Sequence, residues 1–262
     1  MSLEGAITHF FERHAAVVAA AIAGFVGLEL LRLRGGRGQP LHGPSVASNL
    51  VTHGVGSALR FATRGLRVGA FVAMDGLTPL AWPTTALTVV VAYLAIDLTL
   101  YVWHRMLHEV PLLWAFHSVH HSSERYDLSL GGRASWLQRV FDDLVYLPVV
   151  ALGVPASVAL VLVDLNRLSQ LWTHSSTIAR LPWLDGWLDT PSNHRVHHRR
   201  SEDGSARNYG STFVIWDRLF GTYEREGAEM VYGTELGDVG VDPIAIQLAG
   251  LRGLFRRRRM VR

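Results

Sequence analysis

Nine of the chain's thirteen histidines fall between positions 104 and 198, and eight of these form three tight groups. His104 and His108 sit in HRMLH, His117, His120 and His121 in HSVHH, and His194, His197 and His198 in HRVHH. Offsets of three and four return to one face of a helix, so each group presents its imidazoles together. Imidazoles clustered in apolar surroundings are costly unless their ring nitrogens find partners, and metal ions supply such partners. Eight or nine rings exceed what one tetrahedral or octahedral centre accepts, so the count points to two metals. Fe, Zn, Cu and Ni all take imidazole, and spacing does not choose among them. With no Cys in the chain, disulfides, thiol nucleophiles and sulfur-ligated clusters are excluded. The absence of a Glu-x-x-His motif likewise excludes the pattern of soluble di-iron carboxylate bundles.

The rest of the sequence places these rings at a membrane. Hydrophobic residues make up 49% of the chain and charged ones only 18%, which is not the balance of a soluble domain. All 25 basic residues are Arg, locally clustered, and a net charge of +3 gives no ground for a nucleic-acid partner. Ala15 to Leu31 is apolar except for Glu29 and reads as a first span. Arg32, Arg34 and Arg37 follow it and mark a cytoplasmic connection. Residues 46–72 read as a second helical stretch, with Arg60, Arg64 and Arg67 along one face that could snorkel, line a polar cavity or lie in the interface.

Thr84 to Trp103 is a twenty-residue apolar run interrupted only by Asp97. Val140 to Leu152 and Ala156 to Trp172 predict a helical hairpin around Gly153-Val154-Pro155. From Arg180 the chain turns polar and aromatic, and Arg256 to Arg259 suggest a solvated anchor for anionic headgroups. The predicted fold is all-α: a multi-pass membrane helical domain of four or five spans, with a cytosolic His-rich cap holding a dinuclear metal site. Its expected divisions are membrane helices and a basic loop in 1–83, a catalytic domain in 84–224 and a basic tail in 225–262. His104 ends the third span and His194 follows the hairpin, so all the groups meet on the cytoplasmic face, beside lipid.

The formula H-x3-H, eight residues, H-x2-HH, seventy-two residues, H-x2-HH resembles that of the membrane-bound fatty acid hydroxylase and sterol desaturase superfamily. The likeness covers roughly residues 84–224 and includes DLTLYVWHR, the NYG of Asn208 to Gly210 and the WDRLFGTY of Trp216 to Tyr223. Within it, HHSSERYDLSL, QLWTH, LDTPSNHRVHH and VYGT look most like the alkylglycerol monooxygenase branch. The resemblance implies two iron ions, with zinc able to substitute, and O2-dependent hydroxylation of a lipid C–H bond. Desaturation is the close alternative. It also implies an external electron donor, tetrahydrobiopterin or a redox protein. The sequence itself carries no built-in dinucleotide site, since GVGSALR lacks the third glycine of that fingerprint.

By the same pattern His104, His108, His117, His120, His121, His194, His197 and His198 are the metal ligands, and His174 is a ninth that also ends an apolar helix on the right side. Asn166 and Gln170 precede His174 at four-residue steps and can face the metals. Asp97 shares a stripe with Tyr101 and His108, where it can accept a ligand ring N–H. Asp217 and Asn193 join these as supporting residues, and Trp114 lies near enough to wall a lipid channel. Two rival classes are a zinc-dependent membrane hydrolase using Glu109 or Glu124 as base and a metal-binding transporter.

Overall fold

The computed structural model describes residues 24–36, 38, 40–200, 206–227 and 230–260. Among them the regular structure is helical, with two isolated bridges, Leu188 to Phe213 and Arg199 to Tyr232, in place of a sheet. Residues 24–34 form α1; the first half of the expected span, with His9 and His14, lies outside the described residues. The stretch expected over 46–72 is two helices, α2 (Gly43–Ala62) and α3 (Arg64–Leu77), parted at Thr63. The Thr63 hydroxyl donates to the Leu59 carbonyl, a local bond that competes with the ladder.

Helix α4 (Ala86–Glu109) begins with a reciprocal cap between Thr85 and Thr88. It stops at Val110 because Pro111 follows and opens α5 (Pro111–His121). Among the described residues α4 alone is long and apolar enough to cross a membrane. The predicted hairpin is subdivided into α6 (Trp136–Phe141), α7 (Leu147–Ala151) and α8 (Ala156–Ser169). Fourteen residues rise about 21 Å, short of a ~30 Å hydrocarbon core. The turn between α7 and α8 matches the prediction: Gly153 takes φ +101, which glycine tolerates without strain, and its carbonyl accepts from Trp82 N at 2.9 Å. The remaining helices are α9 (Pro191–His197), α10 (Ile215–Leu219) and α11 (Pro243–Met260).

Among the described residues the larger core is apolar and lies where α3, α4, α7 and α8 meet, built on Phe71, Ile96, Val150, Leu162 and their neighbours. The Arg stripe of α2 and α3 lines a polar seam beside it. Arg60 and Arg67 both reach the buried Asp143 and the exposed Asp164, and Arg167 of α8 joins them. Arg64 instead lies over the Phe61 ring. Residues 243–260, expected as a tail, fold as α11 and pack along α5. The close approach is at Gly250, whose missing side chain leaves room for the Ala115 carbonyl and Ser118 Oγ.

Candidate metal centre

Helices α4, α5 and α9, with the turn after α8, bring all nine predicted imidazoles together in two groups. The first is His104, His108, His117, His121 and His197; the second is His120, His174, His194 and His198. Within each, the donor atoms lie within 4.8 Å of one another. Among the described residues no carboxylate belongs to either group. Glu109 pairs with Arg105 at 2.6 Å, and Glu124 lies against Gly233, so neither is placed as the base a hydrolase requires. His42 and His53 bond to Ser45 and Ser57 and belong to neither group.

Hydrogen bonding fixes which ring nitrogen carries the proton. The Nδ1–H of His104 donates to the Tyr209 carbonyl at 3.0 Å, that of His120 to the Arg133 carbonyl at 2.8 Å and that of His197 to the Arg207 carbonyl at 3.0 Å. His194 Nδ1 faces Asp189 Oδ2 at 3.1 Å, and His117 Nδ1 faces Gln138 Oε1 at 3.4 Å. A carbonyl or carboxylate only accepts, so each of these rings holds its proton on Nδ1 and aims an Nε2 lone pair inward. Yet those Nε2 atoms face one another: His104 to His117 at 3.2 Å, His194 to His174 at 3.1 Å, His197 to His121 at 3.1 Å and His120 to His174 at 3.3 Å. His104 and His117 set two lone pairs against each other, which cannot hydrogen bond; His174 Nε2 carries one proton at most yet faces the lone pairs of both His194 and His120; and His108 Nε2 is buried with no partner at all. A cation in each group resolves every one of these contacts, and an all-imidazole set suits a transition metal.

Electrostatics agree. Burial holds the His117, His121, His174, His194, His197 and His198 rings well below the ordinary imidazole value, and His120 is pushed down to about 4. The rings are therefore neutral and ready to ligate at neutral pH. The unfolded chain binds protons that the folded one refuses, so protein stripped by a chelator should be fully stable above pH 6.5. It should lose melting temperature as pH falls from there toward about 4, with the slope reduced once metal is restored. A flat profile across that window would contradict this account.

The supporting residues are only partly those predicted. Asp97 accepts no imidazole; its oxygens receive Asn166 Nδ2, Ser211 Oγ, Trp216 Nε1 and the backbone N–H groups of Thr212 and Phe213. The segment 211–216 has a richer set of donors than the ring of a neighbour on the same helix. Asn166 donates to Asp97, and Gln170 Nε2 donates to Asn166. Asp217 acts at one remove: it accepts from Tyr209 N and Gly210 N, fixing the Tyr209 carbonyl that receives His104. Asn193 donates to the Asp185 and Leu188 carbonyls and receives Asn208 Nδ2 at its own carbonyl, which ties the α9 start to the NYG turn. There Asn208 adopts φ +54, a conformation Asn tolerates. Trp114 does lie against the rings, 5.0 Å from His108 and 5.5 Å from His121.

Sequence reasoning missed Asp189. It is 2% exposed and meets His194 Nδ1, and its second oxygen has no partner. Burial, then the nearby Asp217 and Asp97, push its carboxyl well above the usual range, a cost that a cationic centre behind His194 offsets. Asp189→Asn keeps the shape but loses the charge behind the ring. It should weaken metal retention against a chelator by about 10- to 100-fold, the usual effect of such partners.

A helical chain that gathers nine imidazoles into two adjoining groups, with lone pairs opposed and no carboxylate between them, has the build of a binuclear metal protein with histidine-only ligation. The chain belongs to the fatty acid hydroxylase family, whose model matches residues 89–222. It is 42% identical over 164 residues to human alkylglycerol monooxygenase, covering 63% of this chain and 37% of that protein. It is 36% identical over 225 residues to alkylglycerol monooxygenase of Xenopus tropicalis, covering 84% and 50%. Over 186 residues it is 32% identical to the ornithine lipid hydroxylase OlsE of Rhizobium tropici, covering 68% and 56%. The chain thus spans half or less of the length of these two monooxygenases. No solved structure shows significant similarity.

Proposed function

We propose that this chain is an integral-membrane oxygenase that uses O2 and an external reductant to hydroxylate a lipid C–H bond, with the nine histidines holding two iron ions. The observation that carries the reading is the opposition of Nε2 lone pairs in two adjoining groups at the end of an apolar helix. Bound iron supplies activation of O2, chemistry that protein side chains lack. The chain's own residues do the rest. Carbonyls of Tyr209, Arg133 and Arg207, with Asp189, hold the ring protons at Nδ1 and keep each Nε2 free to ligate. Trp114 and the buried Tyr126 and Tyr209 rings exclude water around the imidazoles.

Alkyl-ether lipids are the first substrate class, since the human and Xenopus tropicalis alkylglycerol monooxygenases match at 42% and 36% identity against 32% for the ornithine lipid hydroxylase, which keeps other lipids in range. Tetrahydrobiopterin is the first donor to supply and a redox protein the second. The four or five spans, the cytoplasmic placement of the site and the catalytic division at 84–224 belong to this reading. Support for it comes from the apolar face of α4, the apolar run ending in α1 and the Arg-rich residues that follow that run.

The test is turnover under labelled O2 by protein from iron-supplemented cells reconstituted with lipid and reductant. One labelled oxygen atom in the lipid product is expected. Loss of two hydrogens without label would replace hydroxylation by desaturation, and no O2 consumption with alkylglycerols, acyl lipids or sterols would overturn the proposal.

A further inference from the structure

Residues 180–188 and 211–220 form one surface. The Leu188–Phe213 bridge joins them, as do bonds from Val214 N to the Trp187 carbonyl at 3.0 Å and from Arg218 Nε to the Gly186 carbonyl at 3.1 Å. The order of polarity in this surface is inverted. Asp185, Asp189 and Asp217 are turned inward and buried, while Trp183 and Trp187 are 73% and 72% exposed, Leu219 67%, Ile215 50% and Phe220 48%. Single exposed apolar side chains are ordinary, but five large ones on two joined segments make a patch that water does not favour.

The contacts of these segments name the occupant. Tyr93 meets the Phe213 ring edge-on and bonds to Thr212 Oγ1 at 2.8 Å. Asp97 holds Thr212, Phe213 and Trp216, and Tyr101 stacks on Phe220 at 5.4 Å between centroids. From Tyr93 to Tyr101 is eight residues, about 12 Å of helix rise, so the surface lies alongside the middle and last part of the apolar run. Leu87, Val90, Val91 and Leu94 on α4 continue the exposed apolar face. On the other flank Ser175 and Thr177 donate to the buried Glu29 of α1, near the end of the other apolar run. Arg180 and Arg218 border the patch.

We propose that the face carrying Trp183, Trp187, Ile215, Leu219 and Phe220 is embedded in the lipid leaflet next to the metal centre. The indoles sit at the headgroup boundary, and Arg180 and Arg218 reach toward lipid phosphates. A stretch that composition reads as cytosolic is thereby part of the membrane anchor. The inference rests on α4 crossing the membrane, and not on the reaction.

The chain has no Cys, so single nitroxide labels can be placed cleanly. Trp183→Cys, Trp187→Cys and Leu219→Cys, with Val90→Cys and Asp238→Cys as references, are labelled and reconstituted into vesicles of phosphatidylcholine and phosphatidylglycerol. Helicity by circular dichroism confirms that each is folded. The expected result is an excess of collision with O2 over a water-soluble nickel chelate at 183, 187 and 219, in the same direction as position 90, smaller at 183 and 187 than at 219, and opposite to position 238. Free access of the chelate to all three while position 90 stays in lipid overturns the proposal and leaves the span standing. Chelate access at position 90 as well removes the span and the proposal together. Protection from both reagents at 183, 187 and 219 means that protein covers the face, a second copy of this chain included, and overturns the lipid assignment.

Discussion

His197→Ala should leave about one iron, or none, where the native chain holds two, and His120→Ala should do the same from the other side. His197 opposes His121 in the group of five, and His120 opposes His174 in the group of four, so each substitution opens a different centre. An imidazole replaced by a methyl group leaves no donor, and no carboxylate stands nearby to substitute for it. Turnover should fall by about 100-fold or more in each, since loss even of an outer partner of a ligand commonly costs 10- to 100-fold. Metal analysis by mass spectrometry reads the first effect and product formation the second. Native iron content in both variants would remove the metal centre, and the oxygenase reading with it.

Gly250→Ala is the second change with a large expected effect, and its origin is steric. The added Cβ overlaps the Ala115 carbonyl and crowds Ser118 Oγ, both on α5. Backbone cannot rotate aside, so α11 must move off α5 or the helix pair must spread, at about 1–3 kcal/mol or more. Two other glycines calibrate the result. At Gly253 the new atom meets the flexible end of Leu236 at 2.8 Å, and a smaller loss is expected. At Gly54, inside α2, nothing lies within 4 Å, and Ala should stabilise by roughly 0.5–1 kcal/mol. Thermal melts in detergent should rank them Gly54→Ala above native, then Gly253→Ala, then Gly250→Ala. Because α5 carries His117, His120 and His121, Gly250→Ala should also release iron to a chelator faster. Equal melting for all three would show that α11 does not rest on α5 in the folded protein.

The gathering of the imidazoles was legible in part because it is local: the offsets of four, His104 to His108, His117 to His121 and His194 to His198, each fall within one group, while the offsets of three, His117 to His120 and His194 to His197, are split between the two. His174 could be added because it closes an apolar segment on the side where the other groups end. The supporting residues were not legible, since their partners come from far along the chain. Asp97 shares a helix stripe with His108, but the donors that claim it lie 69 to 119 residues away, at Asn166 and at Ser211 to Trp216. Asp189 has no periodic relation to the rings; it sits one residue before the Thr190 cap of α9, and only the bend into that helix turns it toward His194. The run over 140–152 read as one apolar arm because composition does not register Asp143, which the chain buries among three arginines. In the C-terminal segment a run of arginines masked the small residues Ala249 and Gly250, through which α11 docks.

Neighbouring residues serve different centres. On α5, His117 and His121 belong to the group of five and His120 to the group of four; on α9, His197 joins the first while His194 and His198 join the second. Each of these helices is therefore a ruler laid between the two groups of rings, graduated by the roughly 100° turn between successive residues. If either helix shifts, both centres travel with it and their separation is preserved. Drawing the rings of the two groups apart along α5 or α9 would take the uncoiling of a helix turn, so within each of these helices that spacing is written into the chain itself.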